Sequence, residues 1–111
     1  MAEYGEWNRK GSVLSEVTAQ KEYGITRDLI VDGIRSGKLE FREGAVWGNP
    51  YLRVLRSQLE LWIAERIGSE HLAGKKAQTE LRAVRKEIAD LTAKLARLEA
   101  RKAELDRVVK A

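Results

Sequence analysis

Leu81, Val84, Ile88, Leu91, Leu95, Leu98, Leu105 and Val109 follow one another at steps of three and four, with Lys102 in the one gap. Such spacing, kept over about four heptads, is that of a coiled coil with these residues at positions a and d. From Lys75 to Ala111 there is neither glycine nor proline to interrupt it. A helix of that length is about 55 Å long, at 1.5 Å per residue. That exceeds any small head the rest of the chain could build, so most of the stripe needs a second helix. A second copy of the chain is the expected partner. Glu80, Glu87, Lys94 and Arg101 take position g; Arg85, Thr92, Glu99 and Asp106 take position e. A parallel pair sets Glu80 with Arg85, Lys94 with Glu99 and Arg101 with Asp106. An antiparallel pair centred near Leu91 to Leu95 sets Glu80 with Arg101, Glu87 with Lys94 and Arg85 with Asp106. Charge serves both orientations. Lys102 favours the antiparallel one, which places it beside Val84 rather than against its own copy.

The rest of the chain holds one small domain. Of the 111 residues, 34% are charged and 6% aromatic, a balance that points to much solvent-exposed helix. The net charge is +4, but it is unevenly placed. Met1 to Gly74 carries ten Lys/Arg against eleven Asp/Glu; Lys75 to Ala111 carries eleven against six. The excess of positive charge therefore belongs to the tail and says little about the head. With no cysteine, disulfides and thiolate metal sites are excluded. His71 stands alone, with no carboxylate or nucleophile at a catalytic spacing. No metal site, cofactor or enzymatic activity is expected. No apolar run approaches a membrane span, and Met1 to Gly11 lacks the apolar stretch of a secretory signal. The expectation is a cytoplasmic protein with no membrane partner.

Four regions are expected: an arm at 1–11, a head at 12–67, a joint at 68–74 and the coiled coil at 75–111. In the head, Ser15 caps a helix running to about Tyr23, with Val17, Ala19 and Tyr23 as its apolar contacts. Gly24 ends it. Thr26 caps a second helix over Arg27–Arg35, with Ile30 and Ile34 on one face; Gly37 supplies its left-handed terminator. Leu39-Glu40-Phe41-Arg42 alternates as a half-buried strand does. Gly44 to Pro50 is rich in turn formers, and Tyr51 to Leu55 is a second strand. Ser57-Gln58-Leu59-Glu60 has the form of a capping box opening a third helix, with Leu59, Trp62 and Ile63 as its apolar stripe. The fold class expected is mainly α with a small β-hairpin and a long C-terminal coiled-coil helix. Gly68 to Gly74 reads as a flexible joint.

Two helices joined by a short glycine turn, then a hairpin, then a capped helix, is the order of a winged helix-turn-helix. Gly24-Ile25-Thr26-Arg27 and Ile34-Arg35-Ser36-Gly37-Lys38-Leu39 resemble the excisionase-like, MerR-type head, over roughly Val13 to Ala64. Small phage terminase subunits carry a similar head before a coiled coil. The resemblance implies that the second helix enters the major groove of double-stranded DNA and the wing touches its backbone. It implies DNA-contacting positions at Arg27, Arg35 and Lys38, with Arg42 and Arg53 on the wing strands. Asp28 and Val31 share the exposed side of the second helix, and Trp47 sits in the wing turn. Guanidinium groups suit phosphate oxygens and guanine edges. Each of these arginines could equally be an ordinary solvated residue. Trp47 could wedge into or stack on nucleic acid, but such a residue more often folds back on its own hairpin. Trp7 is expected over core surface and Trp62 in the core.

The functional expectation is sequence-specific binding of double-stranded DNA by a homodimer, as regulator, recombination accessory or packaging factor. The alternative is a protein-interaction or scaffolding module whose head does not bind DNA. Asp28 and Asp32, four apart on the second helix, and the near-neutral head motivate that alternative.

Overall fold

The computed structural model describes residues 2–111. It is mainly helical, with one three-stranded antiparallel sheet and a long C-terminal helix. The elements run β1 (Val13–Ser15), α1 (Glu16–Tyr23), α2 (Arg27–Arg35), β2 (Phe41–Val46), β3 (Asn49–Leu55), α3 (Arg56–Arg66) and α4 (Ser69–Lys110), after a 3-10 turn at Glu6–Asn8. β3 lies centrally, paired with β1 and β2.

Local chemistry explains the first helix pair. Ser15 Oγ accepts from the Thr18 backbone N–H at 3.2 Å, and Thr26 Oγ1 accepts from that of Leu29 at 3.3 Å. Each satisfies a donor that a helix start leaves orphaned. Between them, Gly24 takes the left-handed conformation (φ 63°), which closes α1 and turns the chain in three residues. Ala19 and Tyr23 are buried as the apolar pattern predicts, whereas Val17 stays half exposed on the outer side.

Two strand boundaries differ from expectation. Leu39 and Glu40 are not in the sheet. The Lys38 and Leu39 N–H groups donate to the Gly33 carbonyl at 2.9 and 3.0 Å, closing α2 instead. The strands also run through the segment expected as a broad turn, pairing Phe41 with Val54 through Val46 with Asn49. Only Trp47 and Gly48 remain as the loop, both with positive φ (52° and 79°). That is the two-residue turn whose twist matches the flanking strands.

α3 starts one residue before the expected capping box, directly from β3, with Leu55 at the cap position and no side-chain cap. The box does not form, because both members are engaged elsewhere. Ser57 Oγ donates to the Glu6 carboxylate, and Glu60 accepts from the Tyr23 hydroxyl at 2.7 Å. The first helical N–H, that of Arg56, donates to the Ser12 carbonyl at 2.8 Å.

The core joins Leu14, Ala19, Tyr23, Ile25, Ile30, Leu39, Val54, Leu59, Trp62 and Ile63. Trp62 is buried, as expected, and its indole N–H donates to the Leu29 carbonyl at 2.9 Å. Gly33 makes this approach possible. A Cβ there would lie 2.7 Å from Leu39 Cδ1 and 2.8 Å from Trp62 Nε1. Beside the core, Arg56 donates to Glu22 at 2.6 Å and to the Tyr23 hydroxyl at 2.8 Å. Burial, then the bond to Glu60, pushes the Tyr23 hydroxyl far above its usual range. The bond to Glu22 raises the Arg56 guanidinium further still.

The expected flexible joint is corrected. Ile67 and Gly68 (φ 134°) separate the two helices; α4 begins at Ser69 and passes through Gly74 without interruption. Tertiary contacts override the glycine-rich composition. His71 Nε2 lies 2.9 Å from the Tyr23 carbonyl, Leu72 packs against the core, and Lys76 donates to Glu60 at 3.1 Å. The arm also belongs to the head, for Glu6 is buried in it. The compact units are Met1–Ala77 and Gln78–Ala111. Among the described residues, no helix is long and apolar enough to cross a membrane.

Candidate nucleic-acid interface

The exposed side of α2 is set by what its other side buries. Ile30 and Gly33 face the core, so Arg27, Asp28, Asp32 and Arg35 are exposed, with Val31 half exposed beside them. The Arg27 Nε donates to Glu16 at 2.7 Å. Glu16 is the more buried partner, with 12% of its side chain exposed against 59% for Arg27. The pair fixes the guanidinium stem while the terminal nitrogens of the fork have no acceptor among the described residues. A cleft of about 210 Å³ opens there, lined by Glu16, Arg27, Glu43, Pro50, Tyr51 and Leu52. Its two carboxylates outweigh its one guanidinium and disfavour phosphate, but base edges offer donors that a carboxylate accepts and acceptors that an arginine reaches.

The β2–β3 hairpin carries its arginines on the opposite face of the sheet from Val54 and the core. Arg42 and Arg53 stand directly across β2 and β3 from one another. Like charges in such a pair repel, and an anion between them removes the repulsion. The Arg42 guanidinium lies 4.5 Å from the centroid of the half-buried Trp7 ring, so Trp7 packs against β2. Arg53 is half buried, and its Nε is buried without a hydrogen-bond partner among the described residues. Lys38 pairs with Glu65 at 3.7 Å, away from the wing.

Of the eight residues expected at the interface, Arg27, Asp28, Val31 and Arg35 share one side of α2, and Arg42 and Arg53 share one face of the hairpin. Lys38 is drawn toward α3. Trp47 is 97% exposed at the hairpin tip, not folded back on the strands. Tyr51 occupies that place: its ring lies over Gly44, where a Cβ would fall 2.6 Å from Cζ. The Gly44 and Tyr51 pair was missed in the sequence, although a strand glycine opposite an aromatic is a readable signal. Glu6 was also missed. It lies 6% exposed beneath the arm, and its carboxyl is held below the ordinary range, first by the Ser57 hydroxyl and then by the Glu3 N–H. Nothing in the sequence of the arm marks it.

In the second unit, all eight residues of the heptad stripe are exposed, from 44% at Val84 to 82% at Val109. Lys102 donates to Asp106 on its own helix at 3.3 Å. No protein-family model, characterised protein or solved structure matches the chain.

Proposed function

We propose that the chain is a homodimeric binder of double-stranded DNA whose head is a winged helix-turn-helix of the excisionase-like, MerR-type kind. The observation that carries this reading is the Arg42 and Arg53 pair. Two guanidinium groups held side by side on a hairpin, next to a capped helix with a polar outer side, form a phosphate clamp beside a groove reader. Arg27 and Asp28, in the first turn of α2, are the base-reading residues. The acidic neighbours Glu16 and Glu43 keep phosphate off that turn and leave it to bases. DNA binding then divides between wing and helix: the wing supplies affinity and the helix supplies specificity. α4 supplies the dimer. In an antiparallel pair Leu81 meets Leu105, Ile88 meets Leu98 and Leu95 meets Leu91 of the second copy, with Lys102 beside Val84. The flanking charges that meet in that register, Glu80 with Arg101, Glu87 with Lys94 and Arg85 with Asp106, are complementary.

Duplex binding measured across salt concentrations tests the reading. Phosphate contacts release counterions, so the binding constant falls with salt at a slope of roughly −0.9 per phosphate neutralised. Replacing Arg42 by Ala flattens the slope by about one unit and weakens all sequences alike.

One observation favours a second reading, a protein-interaction module. Two of the expected cations are paired within the head, Arg27 with Glu16 and Lys38 with Glu65, while Asp28 and Asp32 face outward. Absence of duplex binding at low salt, with dimerisation intact, selects that reading.

A further inference from the structure

Resting on the duplex-binding reading, we propose that Trp47 is a wedge: an aromatic that the wing inserts between base pairs from the minor groove. The chain has three tryptophans, and two have structural uses. Trp62 is a buried donor to Leu29, and Trp7 lies under the Arg42 guanidinium. Trp47 has neither use. It is 97% exposed and sits at the outermost point of the hairpin with φ 52°. In a turn with positive φ at both central residues, Asn, Asp or Gly is the ordinary choice for the first. A bulky aromatic there combines backbone strain with apolar exposure, and neither is relieved inside the head. Strain kept at an exposed tip points to a contact made with something else.

The surroundings indicate nucleic acid. Val46, the preceding residue, is also half exposed, so the tip is an apolar point. From Gly44 to Leu52 no residue is charged, in a chain of which 34% is charged. No carboxylate on the tip itself would meet phosphate as it enters the groove. Farther back along the same hairpin, Arg42 and Arg53 stand across β2 and β3 from one another, a pair of cations for the phosphate backbone alongside the groove. An apolar wedge flanked by cations is the arrangement by which minor-groove proteins unstack a base step and kink the duplex. The tip is two residues wide, too narrow to cover a broad protein face but matched to one base step.

The test uses the full-length dimer with Trp47→Gly and Trp47→Asn, both of which suit the turn. The probes are a random-sequence duplex pool and a duplex carrying one unpaired-base bulge, compared at low salt. A wedge gains from a step that is already unstacked, so the unmodified protein binds the bulged duplex more tightly than its intact counterpart. Both variants keep or raise the melting temperature. They lose at least about fivefold in affinity, the lower end of the aromatic stacking range, and lose the preference for the bulge. With 5-fluorotryptophan throughout, the resonance absent from the variants shifts when duplex is added. Unchanged affinity and unchanged bulge preference in variants that still bind with normal salt dependence would overturn the wedge and leave DNA binding standing. Failure of the unmodified protein to bind either probe would overturn both. A Trp47 resonance that responds to protein concentration rather than to duplex would make the tip a contact between copies and refute the wedge.

Discussion

Gly33 is where one hydrogen atom decides how α2 meets α3. By propensity alone it weakens α2, and alanine would return roughly 1 kcal/mol. The packing reverses that sign. Leu39 can yield by rotation, but Trp62 cannot move without losing its bond to the Leu29 carbonyl. Gly33→Ala is therefore expected to destabilise the head by about 1–3 kcal/mol, the usual cost of overpacking, as read by chemical denaturation. Glu6 makes a second test. Its folded pKa lies below its ordinary value, so its contribution is present above the ordinary carboxylate range and is lost as pH falls through the folded value. Melting temperatures followed from about pH 6 down to about pH 3, across the ordinary carboxylate range, should fall more steeply for the unmodified protein than for Glu6→Gln. Parallel curves would mean that the Ser57 contact carries no stability.

At the scale of elements, α1 and α2 were legible because their signals are local: Ser15, Gly24 and Thr26 act within one turn of where they stand. The heptad stripe was legible because periodicity accumulates along the chain. The misread segments are those where a distant partner decides. β1 is three residues long and exists only through its pairing with β3. The Ser57 box failed because Glu6 and Tyr23, remote in sequence, compete for its two members. Trp47 does lie in the turn, but that turn is two residues rather than the expected Gly44 to Pro50, and its side chain stays exposed while Tyr51 takes the space over Gly44. Residues 68–74 read as a joint by composition, yet from Ser69 onward contacts with Tyr23 and the core accompany an unbroken helix. The candidate interface can be read from the sequence only as a set of residue types. Which cations are paired inside the head cannot be read there, because Glu16 and Glu65 reach them through the tertiary fold. Gly74 gives the sharpest check of the helical reading. It lies inside α4 with nothing within 4 Å of a Cβ. Gly74→Ala should raise both helicity and stability, by roughly 0.5–1 kcal/mol. A flexible joint would show neither change on circular dichroism.

Over the whole molecule, the proposed dimer is what would cover the exposed stripe of α4. Changing Leu91 and Leu95 to Asp puts carboxylates at the middle of the seam in either orientation. The variant should sediment as a folded monomer, with the melting of the head retained, while the unmodified protein sediments as a dimer at micromolar concentration. A monomeric unmodified protein would remove the second copy from the proposal. On the proposed reading, dimerisation also dictates the form of the target. Two heads related by a two-fold axis read an inverted repeat, with half-sites one helical turn or a multiple apart unless the duplex is bent. Within each half-site Arg27→Ala should relax the preference at a single base position, at a cost of about 1–3 kcal/mol. The most direct measurement is selection of bound sequences by the dimer from a random duplex pool at low salt. The expected result is enrichment of an inverted repeat that loses one specified position in the Arg27→Ala variant. A pool that returns no enriched sequence, or binds no better than to a dimer lacking Arg42 and Arg53, would contradict duplex recognition by this head.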